Sequence, residues 1–466
     1  MGSSRKTHTV MRMPVNPSGD RDMKSNRLII CRDKLLAAVL SVTLVLTAGL
    51  PASMAAEAES KPLSIVNSGL DTIENWVKAS KLPDLKWDTY RKTGLLIKPF
   101  LKFRYDLDSN VFDAPDDNST HHDSVWQYIP GFQAMYKTKY GVIGAAYEAT
   151  FRYFSKFSDQ NESDQDFLVF ANLFPSDNTY LRVSEKLAQK GATAGNTSFD
   201  TIDYLDNTVN VVAGYVSGDW THEVGYQNFN HSFDSVIAKR YSYSENIFDY
   251  RLYRKINSEV RVYQGFRLGH VDFSKDPTRD TLYYEFPIGV EAKVIWGIQV
   301  NASVGLHRRN LQSTDRNDIT HVVANLSGQK SFNQDKSSVE LGFLRRDVES
   351  SFATTTTYDE KLWYGGFKHL ISPKLRGRLN LYYGNRDWEE RVFTGTRVVV
   401  GGRVFVTPPT QVKRDDNVFG INAGFDYNVR KWLILHIDYQ YNRRDSNISA
   451  LDFKENVLSL GSTIPL

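Results

Sequence analysis

From residue 94 to the end of the chain, apolar and polar residues alternate in about eighteen short segments. In the segment that begins at Gly141, every second residue forms an apolar face: Ile143, Ala145, Tyr147, Ala149, Phe151 and Tyr153. The same alternation recurs after Trp296 and after Trp432. A period of two residues is typical of a β-strand, whereas a helical period would scatter these positions around a cylinder. The pattern therefore predicts an all-β chain.

Segment lengths and connections indicate a transmembrane barrel. Each segment has roughly ten to fifteen residues, enough for a tilted strand that crosses a bilayer. Short turns alternate with long polar loops, and the short turns lie near Thr138, Pro175 to Asn178, Ser217 to Asp219, Arg254 to Ile256, Ile295 to Gly297, Ser372 to Pro373 and Asn428 to Lys431. Because the first and last connections are long, both chain ends are expected on the short-turn side, the periplasmic side of a bacterial outer membrane. The sequence predicts an up-and-down antiparallel β-barrel of about 18 strands over residues 94–466, in contact with outer-membrane lipid and lipopolysaccharide.

Residues 1–56 have the pattern of a signal peptide. Four basic residues, Lys24, Arg27, Arg32 and Lys34, precede an apolar run over residues 35–50, and small residues follow at 53–56. The run is too short for a comfortable transmembrane helix. The sole cysteine, Cys31, lies before the run, so the mature chain is expected to contain no cysteine.

Residues 57–93 follow a different pattern. Val66, Leu70, Ile73 and Val77 recur at helical spacing, and Pro83 prevents continuation of the helix. We interpret this segment as a short amphipathic periplasmic helix with an extended linker. The alternative is that the segment folds into the lumen as a plug.

Charge and hydrophobic content further restrict the class of protein. The chain has a formal net charge of +3, but residues 1–55 hold eight basic and three acidic residues, which leaves 49 basic and 51 acidic residues in the remainder. This balance does not indicate nucleic-acid binding. A hydrophobic content of 41% and a mean hydropathy of −0.42 exclude a helical membrane protein. Both values suit a barrel, in which only half of the strand positions contact lipid.

Catalytic signatures are missing from the sequence. It contains no His-Glu-x-x-His, Gly-x-Ser-x-Gly or Cys-x-x-Cys motif, so we expect neither an enzyme nor a cofactor. His121 and His122 lie beside Asp116, Asp117 and Asp123 in the first long loop, where they could gather a divalent cation. A solvated acidic loop explains the same residues, and we favour that interpretation.

Charged residues on the polar faces of the strands are the candidate functional residues. Alternation directs these side chains into the lumen: Glu148, Arg152, Asp249, Arg251, Glu259, Arg261, Arg267, Glu285, Glu291, Arg376 and Arg378. Tyr253, Tyr263, Tyr283 and Tyr382 accompany them. Mixed charges with tyrosines form a polar wall suited to water and polyhydroxyl solutes. Alternatively, most of these charges only neutralise one another.

Two finer predictions concern interfaces and register. Trp220 and Trp296 begin strands in the lipid-facing phase and are candidates for an aromatic belt at the periplasmic interface, unless they are core tryptophans of a soluble β-protein. A three-residue turn over residues 254–256 would place Arg251 opposite Glu259 and Asp249 opposite Arg261.

The first two strands resemble the β-barrel porin-2 family. The string over residues 103–112, Phe-Arg-Tyr-Asp-Leu-Asp-Ser-Asn-Val-Phe, is similar to that family's first strand and its Asp-x-Asn-Val-Phe corner. Asp-Ser-Val at 123–125 and Tyr-Ile-Pro-Gly-Phe at 128–132 are similar to its second strand, which carries a Pro-Gly pair. The last strand departs from the family, because the chain ends in Leu466 after Pro465 instead of in phenylalanine.

The resemblance implies an outer-membrane barrel of porin type. Members of the family are often encoded with exopolysaccharide synthesis and export machinery, so the resemblance also implies a role in moving or anchoring a polysaccharide. A general diffusion porin for small polar solutes, a structural or adhesive barrel and a barrel enzyme stay open as alternatives.

Overall fold

The computed structural model describes residues 94–111, 122–193, 201–234, 239, 242–311, 318–349, 357–394, 397–400, 403–406, 410–448 and 451–466. The predicted signal peptide and the predicted N-terminal helix and linker lie outside these residues. Within the described ranges, no helix has the length and apolar character needed to cross a membrane.

Twenty strands account for most of the described chain. They are β1 (Leu95–Asp108), β2 (Asp123–Thr138), β3 (Gly141–Phe154), β4 (Glu162–Ser176), β5 (Thr179–Thr193), β6 (Thr201–Ser217), β7 (Trp220–Phe233), β8 (Tyr243–Lys255), β9 (Val260–Asp272), β10 (Thr281–Val294), β11 (Ile298–Leu311), β12 (Ile319–Phe332), β13 (Ser337–Glu349), β14 (Thr357–Ser372), β15 (Leu375–Thr394), β16 (Arg397–Val400), β17 (Arg403–Val406), β18 (Thr410–Arg430), β19 (Leu433–Ser446) and β20 (Phe453–Pro465).

Eighteen of these strands form one closed antiparallel sheet. Each strand pairs with its neighbours in sequence, and β1 also pairs with β20 from Phe100 opposite Pro465 to Asp108 opposite Val457. Closure leaves no edge strand with unpaired backbone groups, which is the condition for a sheet to span lipid. The predicted all-β, 18-stranded, up-and-down barrel is confirmed.

The Asp-x-Asn-Val-Phe corner joins the first and last strands at the end of the barrel with long loops. Its Asn110 side chain donates to the Lys454 carbonyl oxygen at 3.1 Å, and its own backbone N–H donates to the Asp108 carboxylate at 2.8 Å. Ser109 and Asn456 exchange two further hydrogen bonds, of 3.0 and 2.7 Å. These residues close the barrel, so the corner has a structural role.

Short and long connections alternate as predicted, with one short turn that the sequence reading missed. This turn, at residues 333–336, joins β12 to β13 and contains no glycine or proline. Asn333, Gln334 and Asp335 all have positive φ, between 56° and 62°. Asparagine and aspartate tolerate this left-handed conformation better than most residues do, so the turn forms without the usual sequence signals.

The longest loop contains structure of its own. Strands β15 and β18 have 20 and 21 residues and extend past their neighbours, with a bulge between Asp387 and Arg391. Between them, β16 and β17 form a separate two-stranded hairpin. Strands of four residues contain too few alternating positions to be distinguished from a loop by their sequence pattern.

The outward faces of the strands are apolar. On β10 and β11, Phe286, Ile288, Val304 and Leu306 are each about half exposed, and Ile288 lies directly opposite Val304. Asn301, between the outward Val300 and Ala302, belongs to the inward set that includes His307. This two-sided pattern is that of a strand with one face toward lipid and the other toward an aqueous interior.

Several inward tyrosines lie across glycines on the neighbouring strand. Tyr283 is directly opposite Gly269, and its ring occupies the space that a Cβ on Gly269 would take. Tyr263 covers Gly289 in the same way. The missing side chain allows each ring to lie flat against the wall instead of projecting into the lumen.

We expect Gly269→Ala to lower barrel stability by about 1–3 kcal/mol, because the added methyl group must displace the Tyr283 ring. The measurement is urea unfolding of the refolded protein in lipid vesicles. Gly328→Ala is the matched control, since a Cβ there would meet no atom within 4 Å. Equal losses in the two variants would show that the ring contact is unimportant.

Candidate functional site in the charged lumen

Four inward side chains of alternating charge cross the lumenal wall at one level, on β8 to β11. Asp249 lies opposite Arg267, Arg267 opposite Glu285, and Glu285 opposite His307. Arg267 is 3.0 Å from Asp249 and 3.2 Å from Glu285, and His307 Nδ1 is 3.0 Å from Glu285. We call these four residues the charged rung. Each charge has a partner, which offsets the cost of placing it in a protein wall.

A buried ion pair connects β13 to β11. It lies nearer the long-loop end of the barrel than the charged rung does. The ladder between β12 and β13 ends at Ala324 opposite Arg345, although both strands continue. Beyond this point the Asp347 carboxylate lies 2.6 Å from Arg309 Nε and 3.3 Å from His307 Nε2, both on β11. The side chains of Arg309 and Asp347 are each only 2% exposed. The pair therefore holds together two strands that share no ladder.

On the short-turn side of the charged rung, aromatic rings and arginines line the wall. The Arg261 guanidinium lies 4.5 Å from the Tyr253 ring and ion-pairs with Glu291. The Tyr253 and Tyr263 rings are 5.2 Å apart. Both rings are buried, so these cation–ring contacts stabilise the packing of the wall.

The remaining wall has the same composition of paired charges. Arg378 ion-pairs with Asp426 at 2.9 Å and with Asp438, while His436 contacts Asp426 at 2.8 Å. Further pairs of 2.6 to 2.7 Å join Lys102 to Glu148 and Arg152 to both Glu162 and Asp164. Arg376 is exposed, two residues before Arg378 on the same face.

The predicted register between β8 and β9 is wrong. Tyr253 lies opposite Tyr263, Asp249 opposite Arg267 and Arg251 opposite Gly265. Glu259, predicted to line the lumen, lies in the exposed turn at residues 256–259.

The turn between β8 and β9 explains the error. The Asn257 side chain accepts hydrogen bonds of 2.8 Å from the backbone N–H groups of Glu259 and Val260. The Ile256 N–H group donates to the Val260 carbonyl oxygen at 2.9 Å. These bonds make the turn four residues long instead of three, and the strands pair later than predicted.

A cavity of about 530 Å³ lies against this part of the wall. Its lining brings residues of the charged rung near side chains of β13 and β14, among them Arg251, Arg267, Glu285, Arg346 and Tyr364. Arg346 is held by Glu360 at 2.8 Å. The cavity is bordered by ionised groups and tyrosine, a surface suited to polar solutes.

Sequence analysis did not select several residues that complete this wall. His307 and Lys102 pair with the predicted residues Glu285 and Glu148. Glu223 lies opposite Arg251 and accepts a hydrogen bond from Tyr180 at 2.6 Å, and Asp347 pairs with His307 and Arg309. His307 and Glu223 share the phase of inward neighbours and could have been found by alternation alone. Asp347 could not, because its contact joins strands that are not paired with each other.

The two belt candidates lie at the short-turn end. Trp220 is the first residue of β7, is 42% exposed and lies 5.4 Å from the Arg254 guanidinium. Trp296 lies in the turn between β10 and β11, with φ of 67° and 80% exposure. These positions agree with a belt at a membrane interface, which stays a prediction.

The suggested cation site in the first long loop falls mostly on residues 112–121, outside the described chain. Asp123, which is described, accepts hydrogen bonds from the backbone N–H groups of Ser124, Lys156 and Phe157 at 2.7 to 3.1 Å. This carboxylate thus organises the next loop. In the described part of the chain, no group of three or more His, Cys, Asp or Glu side chains could hold a metal ion.

The whole arrangement determines where the protein resides. A closed barrel with an even number of antiparallel strands, an apolar outer face, a charged lumen and short turns at one end is the architecture of bacterial outer-membrane barrels. The chain is a β-barrel of the bacterial outer membrane.

No family model matches the chain, and no curated protein matches it in sequence. Among solved structures, it is similar to the outer membrane protein OpdK of Pseudomonas aeruginosa, with 12% identity, a TM-score of 0.42, and coverage of 80% of this chain and 99% of that one. Similar values hold for OccAB3 of Acinetobacter baumannii, with 11% identity, a TM-score of 0.41 and coverage of 79% and 99%. The siderophore receptor PirA of Pseudomonas aeruginosa has 6% identity, a TM-score of 0.40 and coverage of 79% and 80%. These values are low, and the barrel architecture is established by the strand pairing of this chain itself.

Proposed function

We propose that the protein is an outer-membrane channel for polar solutes that acts in the export or assembly of an exopolysaccharide. The observation that carries the channel function is the lumen: its wall is built from paired charges and tyrosines over β8 to β11, and paired charges recur on β1, β3 and β15. Charged side chains facing the lumen retain water there, and water is the medium in which a hydrophilic solute moves.

Two features support a sugar polymer as cargo. The Tyr364 and Tyr382 rings lie opposite each other on the inward faces of β14 and β15 and are at least partly exposed, so the apolar faces of sugar rings can stack against them. The carboxylates and arginines beside them offer acceptors and donors for hydroxyl groups. The resemblance of β1 and β2 to the β-barrel porin-2 family, whose genes often accompany exopolysaccharide genes, supports the same cargo.

The channel is tested by inserting the refolded protein into planar lipid bilayers. We expect discrete conductance steps and block by soluble oligosaccharides. Folded barrels that insert without conducting would contradict the channel function and favour a structural or adhesive barrel.

The polysaccharide role needs a separate test in cells. Deletion of the gene is expected to lower secreted exopolysaccharide and to leave the uptake of small nutrients unchanged. The opposite result would identify a general diffusion porin, an alternative favoured by the near balance of charges along the wall.

A further inference from the structure

Charges are distributed unequally between the two ends of the barrel. At the short-turn end, the last strand residues and the turns carry many more basic than acidic groups. The basic ones are Lys98, Lys137, Lys139, Arg182, Arg251, Arg254, Lys255, Arg261, Lys293, Lys330, Lys336, Lys368, Lys374, Arg376, Arg378, Arg430 and Lys431. The acidic ones are Asp177, Asp219, Glu223, Glu259, Glu291, Asp335, Glu340 and Asp426.

Six of these cations face the lumen and form no ion pair within 4.0 Å among the described residues. We call them the mouth cations: Lys98, Lys137, Lys255, Lys293, Lys368 and Arg376. Their inward phase follows from their neighbours, since Lys255 and Lys293 lie two residues beyond the inward Tyr253 and Glu291. They lie on β1, β2, β8, β10, β14 and β15, and so are distributed around the barrel. Four inward carboxylates lie at the same end of the barrel, and one of them, Asp426, is directly opposite Arg376; the other three are Glu223, Glu291 and Glu340.

The register places some of these cations against other cations. Lys255 lies directly opposite Arg261, and Lys368 directly opposite Arg378. Glu291 and Asp426 already neutralise the two arginines, so both lysines are surplus charges. Like charges facing each other across a ladder are destabilising, and neither lysine has a carboxylate within 4.0 Å among the described residues.

The opposite end of the lumen differs. Its arginines are held by carboxylates: Arg104 by Asp106, Arg152 by Glu162 and Asp164, Arg309 by Asp347, Arg346 by Glu360, and Arg414 by Asp416. Asp166 at this end is also paired, with Lys186 at 3.9 Å and Lys190 at 3.4 Å. Among the described residues, the lumen therefore has surplus cations at the short-turn end and paired charges at the long-loop end.

We propose that the mouth cations form the periplasmic entry site for an anionic, carboxylate-bearing polysaccharide. This inference rests on the proposed channel function and names the class of its cargo. Unpaired cations concentrate a polyanion at the periplasmic opening, and a chain that binds several of them at once gains over a single sugar acid. The site favours entry of the polymer from the periplasmic side, whereas the direction of net transport follows the polymer's own electrochemical gradient.

The test uses channels of known orientation in planar bilayers and oligogalacturonate of about ten residues as the probe, with dextran as the neutral control. We expect block from the periplasmic side at concentrations roughly tenfold or more below those needed from the outer side. Raising the salt concentration should weaken the periplasmic block, since it screens the exposed cations. Dextran should show no such preference.

Two variants with equal charge loss locate the site. Lys255→Gln, Lys293→Gln, Lys368→Gln and Arg376→Gln in one protein should abolish the side preference. Arg254→Gln, Lys330→Gln, Lys336→Gln and Lys374→Gln remove four charges from outward or turn positions at the same end and should preserve it. A preference that survives the first variant, or is lost equally in both, overturns the assignment.

Other outcomes separate this inference from the channel function. If folded protein does not conduct, the channel proposal fails, and salt-sensitive binding of fluorescent oligogalacturonate to the purified full-length protein still tests the mouth cations. Binding that is unchanged in the first variant refutes them. Block by monomeric galacturonate as strong as block by the oligomer would refute the polymer and indicate a site for small anions.

Discussion

Val304→Arg is expected to prevent most of the protein from assembling, with a cost of about 2–4 kcal/mol, because it places a guanidinium on the lipid face near the middle of β11. Val300→Arg lies close to the short turn, where the expected cost falls to about 0–1 kcal/mol. Both effects are measured as the folded fraction after refolding into lipid vesicles, together with the free energy of unfolding in urea. The difference in destabilisation between Val304→Arg and Val300→Arg reports how deep each residue lies in the bilayer.

Asn301→Arg is the control for the lipid-face variants. Asn301 lies opposite Glu291, on the inward face of the same strand. An arginine there enters a charged lumen, so assembly should be close to that of the unmodified protein. Equal damage from Val304→Arg and Asn301→Arg would indicate a strand buried on both faces, and would contradict a water-filled barrel.

Asp347→Ala is expected to destabilise the barrel by about 3–5 kcal/mol, because it removes the carboxylate that neutralises the buried Arg309 guanidinium. It also releases β13 from β11 at a level where β12 does not connect them. We therefore expect larger and noisier conductance steps in addition to a lower midpoint of urea unfolding. An unchanged midpoint would show that the pair is dispensable.

Two controls distinguish loss of the pair from a general effect of charge removal. Asp318→Ala removes the partner of Arg308, the neighbour of Arg309, but this pair is 58% and 42% exposed and should contribute no more than about 1 kcal/mol. Arg309→Met combined with Asp347→Leu removes both buried charges together and should recover much of the lost stability. A double variant as unstable as Asp347→Ala would assign the effect to packing.

The alternation of apolar and polar side chains in the sequence was sufficient to predict the barrel architecture. A period of two requires a strand with two faces, and alternating short and long connections require neighbouring strands to run antiparallel. From these rules came the barrel over residues 94–466 and the inward phase of Arg261, Arg267 and Glu285. The physical reason is that strand faces depend on local geometry, which each segment carries by itself.

Partner choice within the lumen depended on tertiary structure. A shift of a strand by any even number of residues keeps its faces, so alternation could not distinguish Asp249 opposite Arg261 from Asp249 opposite Arg267. The hydrogen bonds of Asn257 in a four-residue turn made that choice.

The contact of Asp347 with Arg309 is still harder to predict from the sequence, because it joins β13 to β11, which are not neighbours in the sheet. It becomes possible only where the ladder between β12 and β13 has ended. The sequence by itself determined the inward phase of residues within the strands, but not where a strand ends, as Glu259 in its turn shows. Only the closed barrel decided which charges neutralise one another and which, among the described residues at the short-turn end, have no ion-pair partner, since pairing depends on register and on distances across strands that no local pattern encodes.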